Sequence, residues 1–229
     1  MTTRTALSNG IWICLFWLIC APISAMAGAW TQEEGSLFVS FGGNVALFDH
    51  ATRPVHYDPT IFLEYGLSPR LTLGLDGYTA DKGEAGSLFG FARTAIGRTD
   101  GPVVVALAFG LGLTKTPTGP LWETVRIGGH LGQGLDRGWL ALDAEATRVL
   151  QQPLVQTKME LTWGHRLGNG WTSVLSGQIG SGLEGDFYAK MNPSLTYDLT
   201  QSIRLRAGYV QALTGDRGSG LSAQVWVDF

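Results

Sequence analysis

Residues 64–78 read EYGLSPRLTLGLDGY. Leu71, Leu73 and Leu75 alternate with Thr72, Gly74 and Asp76 directly after the breaker cluster Ser68-Pro69-Arg70. A period of two predicts a β-strand with one apolar and one polar face, entered from a tight turn. The apolar face could meet a protein core or lipid, and the rest of the chain decides between them.

The same alternation recurs in twelve segments, at about 35–48, 54–67, 70–81, 86–98, 102–114, 121–134, 138–149, 153–167, 170–182, 185–199, 202–214 and 217–229. Two kinds of connection separate them. Ser68-Pro69-Arg70, Thr99-Asp100-Gly101, Asp136-Arg137-Gly138, Gly168-Asn169-Gly170 and Thr200-Gln201 are tight, and the others, led by NVALFDHATRPVH, are longer or more varied. Alternating segments of about ten residues, even in number and joined by short turns at one end, predict an all-β fold. The expected fold is a transmembrane antiparallel up-and-down β-barrel of about 12 strands.

The faces separate cleanly. Leu140, Leu142, Ala144 and Ala146 oppose Asp143, Glu145 and Thr147, and Val155, Thr157, Met159, Leu161 and Trp163 oppose Gln156, Lys158, Glu160 and Thr162. A soluble sandwich would turn its apolar faces inward. It would rarely repeat this pattern through so many strands with so little other structure. Tyr65, Trp163, Trp171 and Tyr197 fall near strand ends on the apolar face, where an interfacial aromatic girdle belongs.

The first residues are read apart from the fold. Arg4 precedes the apolar block Ile11–Cys20, and Ala25 and Ala27 follow it, the plan of a secretory signal peptide cleaved after Ala27. The apolar block is too short for a spanning helix. Ile19 stands before Cys20 where a lipoprotein signal needs a small residue. The expected division is therefore 1–27 as signal peptide and 28–229 as one barrel domain. Cys14 and Cys20 leave with the signal, so the mature chain has no thiol for a disulfide, a zinc site or a nucleophile. Without Arg4, 15 basic side chains face 19 acidic ones, and no basic stripe points to nucleic acid.

The closing stretch LSAQVWVDF puts Leu221, Ala223, Val225 and Val227 on one face and ends at Phe229. It resembles the C-terminal signal by which the assembly machinery recognises Gram-negative outer-membrane barrels, with Val227 where an aromatic is common. EYGLSPRLTLGLDGY is itself similar to a strand-turn-strand phrase of porin-like barrels in the family associated with phenol meta-cleavage pathways. The resemblance implies outer-membrane transport and brings no catalytic residues.

With lipid outside, Glu64, Asp76, Arg93, Arg126, His130, Asp143, Glu145, Lys158, Glu160, Lys190, Asp198, Arg204, Arg206 and Asp228 turn inward. Six are permanently basic and seven acidic, so neither sign dominates the lining. A tight 150–153 connection would set Glu145 against Lys158 and Asp143 against Glu160, with Arg126 near enough to neutralise them. From the 200–201 turn, Asp198 faces Arg204. A short last loop would put Asp228 opposite Arg204 and Arg206 over Trp226, a constriction close to the termini.

Other chemistry is thinly supported. His165 and Ser173 share the apolar face with no third group to orient the imidazole, which argues against a lipid hydrolase. Asp49, His50, His56 and Asp58 match no tight metal-ligand spacing, and no phosphate-binding Gly-rich loop occurs. The sequence therefore predicts a narrow passive channel in the outer membrane, with no cofactor and no metal. Its partners are membrane lipids, the barrel assembly machinery and small solutes. A non-conducting structural or surface-interaction barrel is the alternative.

Overall fold

The computed structural model describes residues 28–48, 56–80, 83–116, 119–183, 185–215 and 219–229. The segment read as a signal peptide, along with Asp49 and His50, lies outside these residues. Twelve strands run β1 (Leu37–Phe48), β2 (His56–Ser68), β3 (Leu71–Ala80), β4 (Ala85–Ile96), β5 (Val103–Lys115), β6 (Leu121–Leu135), β7 (Gly138–Val149), β8 (Val155–Gly168), β9 (Trp171–Ser181), β10 (Phe187–Asp198), β11 (Ile203–Thr214) and β12 (Ser219–Asp228). Each pairs antiparallel with its neighbours in sequence. β1 pairs with β12, which closes the barrel.

The strands match the alternating segments to within two residues at either end. The stretch that opened the reading is the β2–β3 hairpin, with Glu64 opposite Gly74 and Leu63 opposite Leu75. The 168–170 turn shows why the tight connections work. Asn169 and Gly170 take φ of 53° and 78°, the left-handed pair of an Asn-Gly hairpin turn, which suits the twist of β8 and β9.

Both chain ends meet at one rim. The Phe229 amide donates to the Leu37 carbonyl at 2.9 Å and the Leu37 amide to the Phe229 carbonyl at 3.2 Å. The turns 69–70, 97–102, 136–137, 169–170 and 199–202 lie at this rim. Connections at the opposite rim also leave few residues between strands, as at 150–154 and 182–186.

The alternation becomes an outside and an inside. Leu73, Leu107, Phe109, Leu111, Ile127, Leu161 and Ile179 stand exposed on the outer wall, while Thr72, Ala106, Thr124, Ser176 and Thr196 are buried within. A soluble monomer seldom exposes apolar patches beyond a few hundred Å², so this continuous apolar wall fits lipid. Trp171 and Tyr197, directly opposed on β9 and β10, lie 4.7 Å apart at the terminal rim, and Trp163 lies 5.8 Å from the His165 ring.

Candidate functional site: the lumen

Strand parity aims two unlike walls at each other. One is aromatic. Trp226 on β12 meets Phe38 on β1 edge-on at 6.4 Å, and Phe38 lies 6.4 Å from Phe62 on β2. Phe62 stacks on Phe91 of β4 at 5.9 Å. β3 passes between those two rings, but it presents Gly74 there, and the Phe91 ring occupies the space that a side chain would take.

The other wall is charged and runs over β6, β7, β8 and β9. Arg126 reaches across the Phe89 ring, 4.0 Å from its centroid, to Asp76 on β3 at 2.7 Å. It also lies 3.6 Å from Glu145. Gly110 faces Arg126 on β5 and Gly112 lies beneath Phe89, so β5 leaves a path for the guanidinium. Lys158 then links Glu145 at 3.9 Å with Glu160 at 3.5 Å, and Gln178 donates to Glu160 at 3.4 Å. The register sets Glu145 against Lys158 and Asp143 against Glu160, as the hairpin reading proposed. Asp143 bonds to His130 Nδ1 at 2.7 Å. A cavity of about 250 Å³ lies between the walls.

Arg204 bonds through Nε to Asp198. One feature of the proposed constriction needs correction: Arg204 stands opposite Trp226, and Asp228 stands opposite Phe38. The register of β11 on β12 is shifted by two residues from the one assumed, with Arg206 opposite Gln224 and Val210 opposite Gly220. As a result both Arg204 and Arg206 lie on Trp226, at 5.7 and 5.5 Å from its ring. Asp228 remains close enough to Arg204 and Asp198 to feel both charges. Arg206 donates to Ser194 at 3.0 Å, and among the described residues no carboxylate lies within ion-pair distance of it.

Residues 28–36 precede β1 and enter the barrel from the terminal rim, which the alternation did not foretell. The Trp30 carbonyl accepts from Arg93 at 2.9 Å, and Gln32 bonds through Nε2 to Glu64 at 2.7 Å and through its amide to Thr72 at 2.8 Å. Glu64 and Arg93 lie 2.6 Å apart. Glycines make room for the segment: a β-carbon at Gly66 would meet the Glu33 carbonyl, and one at Gly132 would meet the Trp30 ring and Ala29.

No protein-family model matches the chain, and no curated protein matches it. Solved structures do. The KdgM porin is similar at a TM-score of 0.60 and 9% identity, over 85% of this chain and 98% of that one. The NanC porin is similar at 0.59 and 13%, over 84% and 98%. The COG4313 outer membrane channel from Pseudomonas putida F1 is similar at 0.57 and 11%, over 88% and 98%.

The chain shares the closed-barrel fold of these structures.

Within that barrel, the sequence reading placed the charged lining but passed over the aromatic wall. Parity carried the signal, because Phe89 and Phe91 share a face with Arg93. Segment 28–36 has no period to read. On the outer wall His165 stands directly opposite Ser173, but no hydrogen bond joins them. His56 and Asp58 lie in β2.

Proposed function

We propose that the protein is an outer-membrane channel that passes small polar solutes without a cofactor and without enzymatic activity. Export would use residues 1–27 as a cleaved signal peptide. The terminal rim would then face the periplasm, the outer wall would meet membrane lipid, and Phe229 would be read by the barrel assembly machinery. The observation that carries this reading is the lumen. A closed barrel with an apolar exterior keeps Asp76, Arg126, Glu145, Lys158 and Glu160 around an internal cavity. Interior-facing residues fill a barrel of about eight strands, whereas about sixteen leave an aqueous channel, so twelve strands leave a narrow one. The KdgM porin is also known in complex with disordered oligogalacturonate.

The experiment is conductance of the purified protein in a planar bilayer under a salt gradient. Arg204 balances Asp198 and lies near Asp228, so Arg204→Ala leaves two carboxylates without that cation. The reversal potential should then shift toward cation permeability. Conduction with unchanged selectivity would remove Arg204 from the constriction. The presence of segment 28–36 in the lumen favours a second reading, a barrel that does not conduct, and silence in both proteins would support it.

A further inference from the structure

Among the described residues, Asp143 is the inward carboxylate of β2, β3, β7 and β8 without a lysine or arginine at ion-pair distance. Glu64 has Arg93, Asp76 has Arg126, Glu145 has Arg126 and Lys158, and Glu160 has Lys158. Asp143 has the His130 imidazole, and the residue opposite it is another carboxylate, Glu160. The group that reaches this place from outside the strands is Gly28. A β-carbon there would lie 2.8 Å from Asp143 Oδ1 and 2.6 Å from His130 Nδ1. The Gly28 nitrogen is bonded to the same α-carbon, so it sits within about 5 Å of the carboxylate.

We propose that the lumen contains a binding site for the protein's own new N-terminus, with Asp143 receiving the α-ammonium of Gly28. This rests on cleavage after Ala27. Hydrolysis there breaks the Ala27–Gly28 amide: water's oxygen goes to the Ala27 carbonyl carbon and a proton to the Gly28 nitrogen. At neutral pH the products are a carboxylate on Ala27 and an ammonium on Gly28. The ammonium supplies a seventh cation to a lining of six basic and seven acidic side chains. The remaining contacts fit a peptide that begins at this point. Ala29 is fully buried, the Trp30 ring lies over the Gly132 notch, and Arg93 holds the Trp30 carbonyl. While the signal peptide is attached, residue 28 is an uncharged amide with chain on both sides, and the seat lacks its cation. Cleavage therefore completes the periplasmic end of the lumen and sets its width.

The test uses the full-length protein purified from outer membranes. Mass spectrometry of the N-terminal peptide identifies its first residue. An amine-acylating reagent at neutral pH then reports how accessible the α-amine is in wild type, Asp143→Asn and Gly132→Val. Gly132→Val fills the notch while leaving the carboxylate, and the gel shift of unboiled protein confirms that each barrel is closed. The expected result is a chain beginning at Gly28 whose amine labels about tenfold faster in either variant, since one close opposite charge and burial are lost. Bilayer conductance of Gly132→Val should exceed wild type. A chain beginning elsewhere overturns both the cleavage reading and the site. A chain beginning at Gly28 that labels at one rate in all three proteins leaves the cleavage reading standing and overturns the site.

Discussion

Glu64 and Arg93 form the most deeply enclosed ion pair described, with each side chain 4% exposed at 2.6 Å. Its geometry leaves Glu64 Oε1 and Arg93 Nε without a hydrogen bond of their own, so the pair depends on Gln32 and the Trp30 carbonyl for the rest of its satisfaction. Removing one partner of a buried pair strands the other charge, which typically costs about 3–5 kcal/mol. Arg93→Met should accordingly lower the denaturant midpoint of the folded barrel in lipid vesicles, whereas Arg98→Met should not. Arg98 pairs with Asp100 in the exposed 97–102 turn, where such contacts contribute little. The guanidinium beside Asp100 holds its carboxyl below the usual carboxylate range. Arg206, with no carboxylate at ion-pair distance among the described residues, should matter to permeation more than to folding. Arg206→Ala should lower anion passage while leaving the gel shift of unboiled protein intact.

Strand β9 offers a test of the two faces by adjacent residues. Ile179 is exposed on the outer wall, while Gln178 points inward and donates to Glu160 at 3.4 Å. Ile179→Arg should destabilise the barrel in lipid, by less than the about 2–4 kcal/mol of a midplane charge because Ile179 stands two residues from the end of β9, while Gln178→Arg places its charge beside a carboxylate and should fold nearly normally. Unfolding of both variants in vesicles compares them directly, and equal losses would remove the assignment of lipid to the apolar face. At the seam between β1 and β12, Phe229 supplies both of its backbone groups to Leu37. Its side chain is 74% exposed and adds little packing to the barrel itself. Deleting Phe229 should therefore reduce the yield of assembled protein in cells, and Phe229→Ala, which keeps the backbone pairing, separates recognition of the ring from closure of the seam.

For the molecule as a whole, a closed sheet has no free edge from which detergent can unravel it. Unboiled protein should migrate differently from boiled protein in a gel and fractionate with the outer membrane. Recovery as a soluble periplasmic monomer would sink the barrel in its proposed setting. Among the described residues, the lumen is narrowed from within, by side chains and by residues 28–36.

What the sequence determined by itself was whatever has a period. Leu71, Leu73 and Leu75 had to share a face, and Arg93 had to share one with Phe91, because a strand sends successive side chains to opposite sides. Hairpin pairs such as Glu145 with Lys158 followed from a tight connection. Tertiary structure decided what has no period. The alternation does not mark the register of β11 on β12, since a two-residue shift leaves every side chain on its face, and such a shift exchanges Asp228 for Trp226 opposite Arg204. Arg126 meets Asp76 only because closure brings β3 and β6 around a common lumen and Gly110 leaves the way open. Segment 28–36 lacks alternation altogether. Its seat exists only once twelve strands have closed, since Gly66, Arg93, Gly132 and Asp143 come from β2, β4, β6 and β7 and meet only around the barrel's interior.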